Sequence, residues 1–294
     1  MPPRSEHVPV MLAEVLAWLD PRPGQVFVDG TLGGGGHTRA IAERVGPSGL
    51  VIALDRDRVA VERARGELAD TPVRVVQANY RSLTGVLEEL QIKRVSGTLL
   101  DLGLSSDQLA DRERGFSFDA EGPLDLRFDT GEGEPASELV NRMKETALAD
   151  LIYQLGEERF SRRIARRIVE QRQQERIETA HQLAEIVRRA VPRSADTRRI
   201  DPATRTFQAL RIAVNDELGA LDQALAEMPD CLEPGGKLAI ISFHSLEDRR
   251  VKEAFRGDDR WQPLTKKPLR ASEQETLQNP RARSAKLRVA ARRV

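Results

Sequence analysis

Three short apolar runs in the first hundred residues each end on an aspartate: Val26-Phe27-Val28-Asp29, Val51-Ile52-Ala53-Leu54-Asp55 and Thr98-Leu99-Leu100-Asp101. With Val73-Arg74-Val75-Val76 they alternate with stretches of helical period around residues 38–45, 58–69 and 82–90. Strands this rich in Val, Ile and Leu, with no polar alternation, predict a parallel sheet covered by helices on both faces. Such sheets bind ligands at the carboxyl ends of their strands, which is where the three aspartates fall.

After Asp101 the rhythm changes. Residues 102–135 hold five glycines and Pro123, a connection too long to be only a connection. Helical spacing follows at Leu148, Leu151, Ile152 and Leu155, at Phe160, Ile164 and Ile168, and at Leu183, Ile186, Val187 and Ala190. Thr179 and Gln182 form the pattern of a capping box. One long helix is predicted over about Arg205 to Glu227, then Pro234-Gly235-Gly236 and a strand over Lys237 to Phe243, with a further strand-like run from Ala285 to Ala290. Alternation has then resumed. The expected organisation is one α/β domain, residues 1–109 with 209–294, interrupted by a helical insertion at 110–208.

At 294 residues the chain has length for about two domains. No apolar run approaches the ~20 residues of a membrane span, and the N-terminus lacks the apolar stretch of a signal peptide. The single cysteine, Cys231, cannot form an internal disulfide, as suits a reducing cytoplasm. The formal net charge is zero, yet this is a cancellation. Residues 159–211 carry 14 Arg against 6 acids, residues 249–294 carry 14 bases against 5 acids, and the remainder carries 18 bases against 35 acids. The bases are 39 Arg and 7 Lys; Arg binds phosphate bidentately, although codon bias would produce the same excess.

The sharpest local feature is Asp29-Gly30-Thr31-Leu32-Gly33-Gly34-Gly35-Gly36-His37-Thr38, directly after a strand and before a helix. Glycines here let a ligand approach the backbone, and Asp55 follows at about the spacing of a ribose-binding acid. The dinucleotide fingerprint G-x-G-x-x-G is absent. Carboxylates at three strand ends would repel a pyrophosphate, whereas S-adenosylmethionine brings an ammonium and a sulfonium cation. His7, His37, His181 and His244 are scattered and no Cys cluster exists, so no metal site is expected.

These residues, together with HVPVML from His7, LLDLGLSSDQL from Leu99, RGFSF from Arg114, GPLDLR from Gly122, FQALRIAVNDEL from Phe207, SFHSLEDR from Ser242 and NPRARSAKLR from Asn279, run almost end to end. In this number and order they resemble the ribosomal RNA small-subunit methyltransferase H family, also called MraW. The resemblance implies a Rossmann-like S-adenosylmethionine-dependent methyltransferase fold with an inserted all-helical, RNA-recognising domain. It implies methylation of the exocyclic N4 of a decoding-centre cytidine in 16S ribosomal RNA, with small-subunit RNA or the 30S subunit as partner. Carried over by position, it puts Gly34, Gly35, Gly36 and His37 against the donor's methionine portion and Asp55 at its ribose. Tyr80 then lies beside the adenine, and Asp101 and Gln108 around the reactive end. Gly35 and Tyr80 stand where Ala and Phe are common in the family, and Phe128 where Met is.

A cytosine amine is a poor nucleophile, so it must be aligned with the methyl carbon and its N–H hydrogens accepted. Asp101 is the best-placed acceptor the sequence offers, although the familiar Asp-Pro-Pro-aromatic motif of DNA amino methyltransferases is replaced by Asp101-Leu102-Gly103-Leu104-Ser105. Asn215, Ser242 and His244 are candidates for the cytosine pocket or for structural hydrogen bonds. Methylation at C5 would need a cysteine nucleophile, and Cys231 lies away from the expected pocket. Ser242-Phe243-His244-Ser245-Leu246-Glu247-Asp248 lacks a nucleophile elbow, and Ser245 with Asp248 more simply starts a helix. Arg159, Arg162, Arg163, Arg166 and Arg167 fall on one helical side and form a stripe able to track RNA phosphates, with Arg281 to Arg293 as a second basic surface. A DNA amino methyltransferase, a nicotinamide oxidoreductase and a non-catalytic RNA-binding assembly factor are the alternatives, and a homodimer is left open.

Overall fold

A computed structural model describes residues 8–118, 122–192 and 201–294; His7 lies outside them. The chain divides into two compact units, residues 1–106 with 218–294, and residues 107–217. Its strands are β1 (Val26–Asp29), β2 (Leu50–Asp55), β3 (Val73–Gln77), β4 (Val95–Asp101), β5 (Leu232–Ser242), β6 (Trp261–Pro263) and β7 (Lys286–Arg292). Helices α1 (Leu12–Leu19), α2 (Gly36–Val45), α3 (Arg58–Glu67) and α4 (Leu83–Glu89) precede α5 (Ser106–Ala110) at the junction. The second unit holds α6 (Ala136–Arg142), α7 (Glu145–Gly156), α8 (Ser161–Arg172), α9 (Ala180–Ala190) and α10 (Ala203–Asn215). The chain then continues through α11 (Glu217–Cys231), α12 (Ser245–Gly257) and α13 (Glu273–Gln278).

In the first unit the sheet order is β3-β2-β1-β4-β5-β7-β6. Strands β1 to β5 pair in parallel, while β7 runs antiparallel between β5 and β6. This is the mostly parallel, doubly covered sheet that the alternation predicts, and it agrees with the Rossmann-like methyltransferase fold that the family resemblance implies. Successive residues of each strand point to opposite faces, and both faces are buried. Val28, Ile52, Leu100 and Ile240 pack with Leu221, Leu225 and Phe255 on one side. Phe27, Val51, Leu99 and Ile241 pack with Val15, Leu19, Ile41 and Val45 on the other. This double burial explains why the strands read as continuous apolar runs, each buried Val, Leu or Ile contributing about 1.5–3 kcal/mol. After β1 the chain moves outward to β2 and β3, then crosses back to β4 on the opposite side of β1. The strand order therefore reverses between β1 and β4, and a crevice opens at their carboxyl ends.

In the second unit, Leu148 and Ile152 of α7, Ile164 and Ile168 of α8, and Leu183 and Val187 of α9 are all buried, as their spacing predicts. The capping box at α9 is present, with Thr179 Oγ1 accepting from the Gln182 N–H at 3.2 Å and Gln182 Oε1 accepting from the Thr179 N–H at 3.0 Å. Two expectations are corrected. The single helix over 205–227 is two helices, broken at Asp216, whose φ of 48° is left-handed. Aspartate is among the few residues that tolerate this conformation, so no glycine marks the break in the sequence. The return to the sheet unit accordingly falls at 217/218 rather than 208/209, because residues 203–215 form one helix that packs on α7.

Candidate active site

Asp29, Asp55 and Asp101 end β1, β2 and β4 on the same edge of the sheet. The loop after β1 binds them to one another. Thr31 donates its N–H to Asp29 Oδ1 at 3.1 Å, and its hydroxyl accepts from the Asp101 N–H at 2.6 Å. Thr38 Oγ1 donates to Asp29 Oδ2 at 2.7 Å, and Gly33 donates its N–H to Asp55 Oδ2 at 2.8 Å. Asp55 Oδ1 accepts from the Asp57 N–H at 2.9 Å. Close approach requires glycine at Gly30, where a Cβ would stand 2.4 Å from Leu100 Cδ2 and 3.0 Å from Tyr80 Cβ. Gly35 precedes α2 at φ 75°, with no side-chain cap on that helix. The glycine run therefore turns the chain tightly and leaves helix N–H groups facing this edge.

His37, the second residue of α2, is buried with Nε2 3.7 Å from Asp101 Oδ2. Asp101 Oδ1 is buried and has no hydrogen-bond partner among the described residues. Burial pushes the Asp55 carboxyl up to about 6, against the N–H groups of Asp57 and Gly33, which favour its ionised form. Asp101 is pushed up to about 7, by burial first and then by the charge of Asp29; Arg281 opposes the rise and Glu247 adds to it. Asp29 is raised as well, chiefly by burial, with the hydrogen bonds from Thr38 and Thr31 opposing. Three carboxylates packed into one low-dielectric edge repel one another, and a cation placed among them would be attracted by all three. The unpartnered Oδ1 of Asp101 and the glycine turn fit a cationic, adenosine-bearing donor and oppose a pyrophosphate.

The structure brings Gly34, Gly35, Gly36, His37, Asp55 and Asp101 to this edge. Tyr80 opens the 3-10 turn after β3, half-buried beside Gly30. Gln108 lies in α5, buried, on the far side of the unit boundary. Two groups at the edge are not among the expected site residues, although both lie in motifs that carry the family resemblance. Glu247 of α12 is buried, accepts from the N–H groups of Phe243 (2.9 Å) and His244 (3.3 Å), and bears on Asp101. Arg281 reaches back from near the C-terminus to donate to Leu104 O and Ser106 Oγ, tying down the segment that follows Asp101.

Several expectations change. His244, rather than Ser245, caps α12: its Nδ1 accepts from the Glu247 N–H at 3.4 Å, and its Nε2 lies 3.2 Å from Glu247 Oε1. Asn215 is no reacting group in this structure. Both its amide hydrogens go to backbone carbonyls, Leu126 O at 2.7 Å and Arg211 O at 2.9 Å, and its Oδ1 accepts from the Phe128 N–H at 2.7 Å. It anchors the 126–128 loop within the second unit. Ser242 donates to Lys286 O at 3.4 Å across β5 and β7, and Asp248 pairs with Arg288 at 2.7 Å, so no Ser-His-Asp relay forms. Cys231 ends α11 ahead of β5, at the edge opposite the aspartates, buried with Sγ 3.5 Å from Thr84 Oγ1 and its thiol pushed up by burial.

The basic segments also sort differently. Arg159 precedes α8 and lies over the Phe160 ring at 4.7 Å, so it is not part of a helical stripe. Arg167 bonds Glu170 at 2.8 Å and Arg166 lies 3.8 Å from Glu145. Arg162 and Arg163 are exposed with no partner among the described residues. The C-terminal cluster is mostly internal, because β7 is an inner strand. Arg288 is buried against Asp248, and Arg292 and Arg293 donate to Leu232 O and Trp261 O.

No helix among the described residues is long and apolar enough to cross a membrane. The model of the MraW methylase family matches residues 4–293. The ribosomal RNA small subunit methyltransferase H of Deinococcus radiodurans is 53% identical over 291 residues, covering 99% of this chain and 91% of that protein. The proteins of the same name from Rhodopirellula baltica and Geotalea uraniireducens are 51% and 48% identical, covering 98% and 97% of this chain and 92% and 97% of their own.

Proposed function

This chain belongs to the MraW methylase family, and on that premise we propose that it methylates the exocyclic N4 of a cytidine in small-subunit ribosomal RNA, with S-adenosylmethionine as donor. The observation that carries the reading is Asp101: a carboxylate at the strand-order reversal, one oxygen facing His37, the other buried and without a hydrogen-bond partner among the described residues. When bound, the donor supplies an electrophilic methyl group on a positively charged sulfur. Asp55 accepts from ribose hydroxyls, the backbone around Gly34 to Gly36 and His37 holds the methionine portion, and Tyr80 flanks the adenine. Asp29, Asp55 and Asp101 together provide the negative field that favours a cation. Asp101 Oδ1 accepts an N–H of the target amine, which keeps electron density on nitrogen as its lone pair leaves conjugation with the ring.

The second unit, with exposed Arg162 and Arg163 on α8, serves as the RNA-recognising domain, Arg166 and Arg167 adding charge as their carboxylate partners exchange for phosphates. The cytidine must be unstacked to reach Asp101, so unpaired or opened RNA is the substrate form. A ribosomal substrate places the work in the cytoplasm. The test is methyl transfer from labelled donor to purified small subunits that lack the modification, followed by mass spectrometry of the nucleosides. N4-methylated cytidine is the expected product. Label at C5 or on ribose refutes the amino-group assignment, and label in DNA but not in RNA favours a DNA substrate.

A further inference from the structure

The basic excess of residues 249–294 is larger than the cluster at 281–293 accounts for, because most of that cluster is bonded inside the fold. Of the other eight bases, Arg249, Arg250, Lys252 and Arg256 lie on α12, Arg260 follows it, and three share one loop. Lys266, Lys267 and Arg270 are exposed and have no hydrogen-bond or ion-pair partner among the described residues, and the same holds for Arg283. Some exposed arginines elsewhere in this unit find carboxylates, as Arg58 does with Glu62 and Arg260 with Asp258 and Asp230, whereas Arg65, Arg74, Arg94 and Arg256 are exposed without one. A loop that keeps three cations apart from the chain's acids invites a partner with negative charge of its own.

The loop is held rigidly. At its start Leu264 and Thr265 donate their N–H groups to Val289 O, at 2.9 and 3.2 Å, while the Val289 N–H donates to Thr265 Oγ1 at 3.0 Å. At its end Leu269 and Leu287 exchange backbone hydrogen bonds at 2.9 and 3.0 Å. Leu264 and Leu269 pack against the core, so the loop is pinned on β7 at both ends with its lysines facing solvent. The sheet register fixes where this display stands. Asp101 pairs with Ile241, Ile241 with Leu287, and Leu287 with Leu269, in one row across the sheet. Three strand spacings of about 4.8 Å put the end of the loop roughly 14 Å from Asp101, at the level of the reacting edge. An RNA strand with its base at Asp101 covers that distance within a few nucleotides.

We propose that Lys266, Lys267 and Arg270 form a phosphate-binding surface on the catalytic unit itself, which holds the RNA backbone beside the methylated nucleotide. The proposal rests on the RNA reading of the site. Fixed cations neutralise phosphates and release counterions, so each contributes close to one unit to the salt dependence of binding.

The experiment compares the parent with the triple variant Lys266→Gln, Lys267→Gln, Arg270→Gln, measuring kcat/KM on unmodified small subunits over a series of KCl concentrations. The logarithmic salt slope should become shallower by about 2–3, with kcat/KM falling most at low salt. Donor affinity by calorimetry should match the parent's and so report an intact donor site. A variant whose slope and kcat/KM equal those of a parent that does methylate the subunit overturns this surface and leaves the RNA reading standing. A parent that transfers no methyl group to the subunit overturns the RNA reading, and this surface with it.

Discussion

Replacing Asp101 with Asn should make the protein more stable and almost inactive. The folded structure raises this carboxyl from 3.8 to about 7, by burial first and by the charge of Asp29 second. A rise of about three units, at 1.36 kcal/mol each, sets a ceiling of about 4 kcal/mol on what the ionised side chain costs the fold above pH 7. The side chain keeps 15% exposure, and water reaching it reduces that cost to about 2 kcal/mol. Because the folded value lies above the unfolded one, the folded state holds the extra proton between about pH 4 and pH 7. The stability contribution of Asp101 is therefore complete below pH 4, is lost as pH rises through 7, and stays lost above it. Asn has no proton to lose and avoids that loss. In a unit of this size, 2 kcal/mol corresponds to a melting temperature about 4–8 °C higher at pH 8, shrinking towards zero at pH 4. Loss of the acceptor should lower kcat by about 10²–10⁴-fold. Scanning fluorimetry at both pH values and single-turnover methyl transfer check the two halves. An Asn variant that melts lower than the parent at pH 8 refutes the electrostatic reasoning. One that binds donor and methylates at the parent's rate refutes the acceptor role.

The same carboxylates make donor binding pH-dependent: a cation among Asp29, Asp55 and Asp101 lowers their raised values, so titration calorimetry at pH 6 should show proton release and affinity at least about tenfold weaker than at pH 8. Affinity independent of pH would count against the acidic cradle. Removing the charge of Arg281, which opposes the rise at Asp101, should move the acid limb of the kcat profile to higher pH in Arg281→Gln, and Arg281→Lys should restore part of the shift; a lower rate at every pH with no movement of the limb would reduce Arg281 to a structural tie. Asn215→Ala deprives the Phe128 N–H and the Leu126 carbonyl of their partners and should cost about 2–4 kcal/mol in denaturant unfolding of the second unit, while a loss under 0.5 kcal/mol, on the order of one surface change, would contradict the anchoring role. Arg162→Gln with Arg163→Gln should flatten the salt slope of RNA binding by about 2, whereas Arg167→Gln, already paired with Glu170, should change it less.

What the sequence determined by itself is the part of this protein written in local periodicity. Doubly buried strands read as unbroken apolar runs, the α7 to α9 faces follow the 3.6 period, and a glycine turn between a strand and a helix with aspartates at three strand ends marks the cofactor edge before any fold is known. Each of these signals depends on residues within a few positions of one another. The tertiary structure alone decided what depends on distant partners. Arg281 and Glu247 join Asp101 only because β5 and the C-terminal segment return to the same edge of the sheet, and the break at Asp216 shows itself only in its backbone angle. The basic tail could not be sorted in sequence for the same reason. A guanidinium carries the same charge whether it meets Asp248 inside the sheet, as Arg288 does, or faces solvent as Lys266 and Lys267 do. Composition counts charges; only the fold determines which of them are already neutralised and which are left for a partner.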